Sequence, residues 1–218
     1  FEELFYELIK IEKRKKWRRD QNGIKLKYKS REIDSFIKNL PFKLTQSQEK
    51  VISEIKADLE QTYPMNRLLE GDVGSGKTIV AIVVSYLSQL NGYKTLYMAP
   101  TEILAAQHFD SYNKFLKCLN LNIQLHTGST KANDLGKADI IIGTHALLFL
   151  KEKVENVGLI VIDEQHRFGV EQRARLTDIG SSEENKPTVL TMTASPIPRT
   201  LALTLYGDLD LSVLKEVP

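Results

Sequence analysis

The octapeptide GDVGSGKT, Gly71 to Thr78, constrains this chain more than any other stretch. It satisfies G-x-x-x-x-G-K-[ST] in full. Its glycines let successive backbone N–H groups turn inward around phosphate oxygens, and a helix starting at its end adds a positive N-terminus. Such a turn needs a strand to deliver the chain and a helix to lead it away. "NRLLEG" before it reads as a short strand, and "KTIVAIVVSYLSQLNG" after it reads as a mostly apolar helix ending at Gly92, a C′ glycine. Gly71, Asp72, Val73, Gly74, Ser75 and Gly76 form the cradle. Lys77 is placed to reach the β- and γ-phosphates of a nucleotide, and the Thr78 hydroxyl to ligate Mg²⁺.

The same texture continues along the chain. "KTLYMAP", "NIQLHTG", "DIIIG", "VGLIVID" and "TVLTMTA" read as buried strands. "LTQSQEKVISEIKADLE", with Val51, Ile52, Ile55 and Leu59 on one face, reads as a helix, as do "TEILAAQHFDSYNKFLKCL" and a segment from about Pro198 to Tyr206. Strands that are apolar on both faces and separated by helices imply an α/β fold, a mostly parallel sheet covered on both sides. In such a sheet, ligands bind beyond the carboxyl ends of the strands. With 218 residues, 42% of them hydrophobic, the chain holds one such domain and a modest extension. The domain is expected over residues 41–218. Residues 1–40 read as a helical extension: Phe1, Leu4, Phe5, Leu8 and Ile9 recur at helical spacing. A polar, glycine-containing stretch then reads as a loop or weak hairpin leading to a short helix that ends near Leu40, where Pro41 breaks the pattern.

Charge is distributed unevenly. Residues 1–40 hold 12 lysines and arginines against 7 acids, while the whole chain has a net charge of only +2. The run KRKKWRR, Lys13 to Arg19, is either a phosphate-facing patch or a solvated helix end. A single cysteine, Cys118, excludes an internal disulfide framework and fits a reducing compartment. No apolar run approaches the roughly 20 residues that span a bilayer, so a soluble protein with no membrane partner is expected. The start at Phe1 and the end at Pro218 suggest a piece of a longer polypeptide.

A phosphate loop of this kind needs a carboxylate at the end of another buried strand, and "VGLIVIDE" supplies Asp163 for the Mg²⁺ shell. Glu164 beside it is suited to orient and polarise an attacking water. The alternatives are an N-cap role for Asp163 and a zinc site, for which only His166 and carboxylates are local. Upstream, "FKLTQSQ" places Phe42 and Gln48 as candidate cofactor-binding residues, and Gln48 offers an amide able to read both a donor and an acceptor on adenine. Thr45-x-x-Gln48 is equally a capping box.

Together "FKLTQSQ", "GDVGSGKT", "APTEILAAQH", "GTHALL", "VIDEQHRFGVEQR" and "TMTASPIPRTLALTLYGDLDLSVL" resemble superfamily 2 DNA translocases of the DExH type, and within them the RecG helicase family. The resemblance covers essentially the whole chain, and the "FEELF" opening resembles the helix joining that family's wedge domain to its motor. It implies a RecA-like P-loop NTPase domain using ATP and Mg²⁺, with Lys77, Asp163, Glu164 and His166 as catalytic residues. It also implies that Pro100, Thr101, Glu102, Gln107 and His108 fall near the DNA backbone, as do Thr144 and His145, where a hydroxyl at a helix N-terminus suits a phosphate. Ordinary helix capping is the alternative for both threonines. Thr191, Thr193 and Arg199 resemble the segment coupling hydrolysis to domain movement, with His166 bridging the γ-phosphate site to it.

The implied partners are branched double-stranded DNA, meaning stalled forks and Holliday junctions, together with a wedge domain and a second RecA-like domain of the same parent chain. The implied setting is the bacterial cytoplasm at the nucleoid, and the expected state is a monomer. Transition-state arginines belong to the second motor domain, so this stretch alone is expected to bind nucleotide weakly and hydrolyse it slowly. Two alternatives are the motor of a transcription–repair coupling factor and a binding module that uses nucleotide as a switch.

Overall fold

The computed structural model describes residues 2–132, 134–150, 154–164, 170–180, 185–194 and 209–216. In chain order they form α1 (Glu2–Arg19), α2 (Ser30–Lys38), α3 (Gln46–Leu59), β1 (Asn66–Gly71), α4 (Lys77–Leu90), β2 (Lys94–Met98) and α5 (Glu102–Leu116). These are followed by β3 (Ile123–His126), β4 (Ile140–Gly143), β5 (Val157–Ile162), α6 (Val170–Gly180), β6 (Thr188–Thr193) and β7 (Asp210–Leu214). The seven strands make one sheet in the order β3-β4-β2-β5-β6-β1-β7. Every pairing is parallel. All carboxyl ends therefore open on one edge of the sheet, where open α/β sheets bind ligands, and there β1 and its neighbour β6 lead to strands in opposite directions along the sheet.

Alternation along the central strands divides the core. Tyr97, Ile140, Ile142, Leu159 and Val161 face the side covered by α2 to α5. Leu96, Met98, Ile141, Ile160 and Ile162 face the other side, with Leu147, Leu148 and Leu176 of α6. Because both faces are covered, β4 and β5 are apolar at nearly every position, and each fully buried Ile or Leu contributes about 1.5–3 kcal/mol relative to exposure. Helix α4 is buried on all sides from Ile79 to Ser88. Its polar residues are satisfied internally: Ser85 Oγ donates to Ala81 O at 2.7 Å and lies 3.0 Å from the Tyr112 hydroxyl. Asn91 caps its C-terminus, and Gly92 follows at φ 79°, the conformation expected of a C′ glycine.

The extension is integrated into this core. Leu26, Ile33 and Phe36 are buried with the residues of α3 and α4, and the Phe36 ring lies 5.1 Å from that of Tyr86. Of the loop and the weak hairpin considered from sequence, residues 20–29 form the loop, and Ser30 already begins α2. Within that loop Gly23 makes an isolated parallel bridge with Lys186, and Lys27 exchanges two backbone bonds with the Asn91 side chain. Within the basic run, Arg18 is buried against β7 and β1, donating to Asp210 at 2.9 Å and to Asn66 O at 3.1 Å. Its neighbours Lys13, Arg14, Lys16 and Arg19 stay exposed, as does Trp17 at 64%.

Strand β7 and helix α6 were not expected from the sequence. Strand β7 inverts the usual alternation: Leu211 and Val213 face outward, while Ser212 turns inward to Arg67 Nη1 at 2.7 Å and to the Glu54 carboxylate. Arg67 also pairs with Asp58 at 2.6 Å and Glu54 at 3.3 Å, tying α3 to the sheet. The helix expected from Pro198 to Tyr206 lies outside the described residues. Among the described residues no helix is long and apolar enough to cross a membrane.

Candidate active site

The loop between β1 and α4 turns through Gly74 at φ 85° and Gly76 at φ 84°, the left-handed region that glycine occupies without a Cβ penalty. Gly76 is the N-cap of α4 and has no side chain to cap it, so the helix's first N–H groups face the loop. Val73 stands at the exposed tip, and Asp72 and Gly74 are also exposed. Lys77 Nζ crosses back over the loop to Gly71 O at 2.6 Å and Asp72 O at 3.0 Å. Burial lowers the Lys77 pKa from its ordinary value, opposed by the nearby carboxylates of Glu164, Asp163 and Asp72. An ammonium on the loop that leads into a helix N-terminus with no side-chain cap fits a polyphosphate. The buried Ser75 hydroxyl has no partner among the described residues.

Two strands away, about 10 Å along the sheet, β5 ends at Asp163 and Glu164. Asp163 is buried; its N–H bonds to Met98 O at 2.9 Å, which fixes it to the end of β2. Glu164 takes φ 50°, a left-handed conformation costly for a residue with a Cβ. Its N–H donates to Asp163 Oδ1 at 3.0 Å, and its Oε2 accepts from Ala194 N at 3.4 Å, beyond the end of β6. Thr191 and Thr193 are buried on β6, which lies between β1, leading into the phosphate loop, and β5, leading to the carboxylates. Half-buried Thr78 with Asp163 is a donor set suited to Mg²⁺, which takes few protein ligands and completes its shell with phosphate and water. Among the described residues no group of three or more His, Cys, Asp or Glu gathers into a metal cage. His166 and Arg199 lie outside the described residues.

Gln48 and Phe42, both candidates for the cofactor site, are engaged with protein partners. Gln48 is 1% exposed, and its amide is taken at both ends: Oε1 accepts from Thr45 N at 3.0 Å, and Nε2 donates to Ser75 O at 2.9 Å. The capping box is therefore formed, and the same side chain braces the phosphate loop from behind. Contact with adenine requires it to turn out of this position. Phe42 packs edge-on against Phe115 in the last turn of α5, at 5.8 Å and 85°.

The nucleic-acid candidates cluster on the same edge. Thr101 is exposed and caps α5, accepting from Leu104 N at 3.2 Å. Gln107 is exposed one and a half turns further on. Thr144 is 1% exposed and caps a short 3-10 helix, His145–Phe149, by accepting from Ala146 N, so its hydroxyl is turned to its own helix and not to solvent. His145 beside it is exposed, its ring edge-on to Phe149. Glu102 reaches across to Ser129, accepting from its N–H at 3.0 Å and its hydroxyl at 2.7 Å, and these bonds hold the Glu102 carboxyl below its ordinary pKa. The loop after β3 had no role from the sequence, and neither did one further contact: His108 Nε2 lies 2.9 Å from Asp163 Oδ2. Their separation of 55 residues left no local pattern to read.

The sequence profile of DEAD/DEAH box helicases matches residues 45–204. The ATP-dependent DNA helicase RecG of Bacillus subtilis (strain 168) is 44% identical over 228 residues, covering 100% of this chain and 33% of that protein. RecG of Streptococcus pneumoniae serotype 4 is 46% identical with the same coverage. A solved structure of RecG bound to a three-way DNA junction aligns with a TM-score of 0.85 at 38% identity, covering 100% of this chain and 30% of that one. The chain thus spans about a third of the length of the curated relatives it matches. With its phosphate loop, its Asp163-Glu164 pair and more than half its length inside the profile, the chain belongs to the DEAD/DEAH box helicase family.

Proposed function

We propose that this chain is the first motor domain of a RecG-type, ATP-dependent double-stranded DNA translocase that remodels branched DNA such as stalled forks and Holliday junctions. The observation that carries this reading is Lys77, on its left-handed glycine loop, facing the Asp163-Glu164 pair across the strand ends of one parallel sheet. The similarity to RecG across the whole chain supports the choice of double-stranded DNA over other helicase substrates.

In this reading the loop N–H groups and Lys77 bind the phosphates of ATP, and Thr78 with Asp163 holds Mg²⁺. When bound, Mg²⁺ neutralises charge that develops on the phosphates. Glu164 holds the attacking water, its carboxylate oriented by Ala194 N and its backbone by Asp163. Thr101, Gln107 and His145 contact the DNA backbone, which carries position and not sequence. Thr191, Thr193 and Arg199 pass the state of the site to a second motor domain. The wedge domain and that second domain belong to the rest of the parent protein, and the latter's arginines are worth about 10³–10⁵ in rate. This chain alone therefore turns ATP over slowly.

The test is DNA-stimulated ATPase of the full parent protein on forked DNA, with nucleotide binding followed by calorimetry. Lys77→Ala removes binding, and Glu164→Gln retains binding while hydrolysis falls. Turnover that does not respond to forked DNA, together with an inert Lys77→Ala, overturns the motor reading. Loss of binding in Glu164→Gln makes Glu164 structural.

A further inference from the structure

Asp163 stands at the end of β5 with both carboxylate oxygens engaged. Oδ1 accepts from the N–H of Glu164 at 3.0 Å, and Oδ2 meets His108 Nε2 at 2.9 Å. The two side chains are only 12% and 9% exposed. A carboxylate oxygen accepts, so Nε2 carries the proton of this bond. His108 comes from α5, which packs on one face of the sheet and begins at the Thr101 cap. The bond thus joins the helix whose first turn faces outward at the strand ends to the carboxylate that faces the phosphate loop.

The imidazole is itself held in place. Its ring lies 4.7 Å from that of Tyr97, inclined at 43°. Tyr97 is fully buried and meets Tyr112 edge-on at 5.6 Å and 76°. Tyr112 is fixed in turn through its hydroxyl, 3.0 Å from Ser85 Oγ on α4, the helix that starts at Lys77. From Ser85 on α4, contacts therefore run through the rings of Tyr112 on α5, Tyr97 on β2 and His108 on α5 to Asp163, and they set the direction from which Nε2–H approaches Oδ2. Packing alone would be served by any planar side chain at position 108; the short bond to Oδ2 selects one with a donor at that reach.

We infer that His108 is the positioning residue of the metal-facing carboxylate: its Nε2–H fixes the plane of Asp163, and the Tyr97 ring fixes His108. The inference rests on the proposed assignment of Asp163 to Mg²⁺. Groups that hydrogen-bond a metal ligand orient it, and losing one typically costs about 10–100-fold in metal affinity.

The experiment is calorimetry of ADP binding to the full parent protein, with Mg²⁺ and with EDTA, for the unmodified protein and for His108→Ala, His108→Gln and Asp163→Asn. His108→Ala is expected to keep the affinity measured in EDTA and to lose about tenfold or more of the gain that Mg²⁺ brings. His108→Gln, whose amide N–H reaches about as far as Nε2, recovers most of that gain. Three results overturn the inference: a full Mg²⁺ gain in His108→Ala, an equal loss with and without Mg²⁺, or a glutamine variant as poor as the alanine one. If His108→Ala does not fold, His108→Asn takes its place, since its shorter amide fills the site without reaching Oδ2; equal gains for Asn and Gln then overturn the inference. Asp163→Asn separates the two readings. Loss of the gain there with none in His108→Ala overturns only the role of His108, whereas an intact gain in Asp163→Asn overturns the assignment of Asp163 itself.

Discussion

Replacing Gly76 with alanine tests how the phosphate loop is held. The residue sits at φ 84°, and a Cβ there would lie 2.2 Å from Gln48 Nε2. The left-handed backbone alone costs an alanine about 1–2 kcal/mol. The clash expels the Gln48 amide, leaving the buried Ser75 carbonyl without its donor for about 1–3 kcal/mol. Loss of backbone freedom in the unfolded chain offsets about 0.4–1 kcal/mol of this. The net destabilisation is about 3 kcal/mol, or a fall in Tm of about 6–12 °C for a domain of this size. Urea unfolding of Gly76→Ala, Gln48→Ala and the double variant, followed by circular dichroism, separates the two contributions. Gln48→Ala removes the atom that clashes, so in that background Gly76→Ala costs only its backbone strain, about 1 kcal/mol. The cycle then shows a coupling of about 1.5 kcal/mol or more. Strictly additive effects, or a single Gly76→Ala that unfolds with the unmodified chain, would refute the bracing of the loop by Gln48.

Arg67→Ala leaves Glu54, Asp58 and Ser212 without their shared donor and lowers stability in urea by about 2–3 kcal/mol; the partners' partial hydration keeps this below the cost of a fully buried pair, and a change under about 0.5 kcal/mol counts against the network. Glu102 is held below its ordinary pKa by Ser129, so its clamp is intact above the normal glutamate range and is lost as pH falls through the lowered value. The Ser129 amide resonance should therefore titrate below the ordinary glutamate midpoint, and a midpoint at or above it contradicts the clamp. Glu164→Gly and Glu164→Ala both remove the carboxylate, but at φ 50° the glycine variant is the more stable by about 1 kcal/mol in urea. An alanine variant more stable than the glycine one shows that no strain is held there.

The layers of the fold were legible because burial writes itself into composition. Strands β4 and β5, covered on both faces, are apolar at nearly every position, and Gly74 and Gly76 of the phosphate loop stand where the backbone enters the left-handed region. Strand β7 was hidden by an inverted pattern: Leu211 and Val213 point outward because Ser212 is required inside by Arg67 and Glu54, partners 145 and 158 residues away. Gln48 was ambiguous for a related reason. The capping box was readable from a three-residue spacing, but its second bond, to Ser75 O, spans 27 residues and left no local signature. The same limit concealed the bond from His108, read from sequence only as lying near DNA, to Asp163 after β5, while local spacing offered capping as the alternative for Thr101 and Thr144, and both cap.

Four of the ties that escaped sequence reading run between neighbouring elements beyond the carboxyl ends of the strands. Glu102 ties the start of α5 to the loop after β3, His108 ties α5 to the end of β5, Glu164 ties β5 to the end of β6, and Glu216, after β7, binds Ser47 N and Oγ at 3.2 Å on α3. Helix α3 then reaches the phosphate loop through Gln48. Backbone pairing within the sheet holds the strands at fixed register and has no second arrangement at low cost. The polar bonds at the strand ends differ, because water, phosphate or a cation can replace either partner for about the net worth of one hydrogen bond, roughly 1 kcal/mol. Under the proposed function, a nucleotide at Lys77 meets an edge whose lateral ties can be exchanged while the sheet beneath keeps its register. That division is a property of where the carboxylates stand, not of any single residue among them.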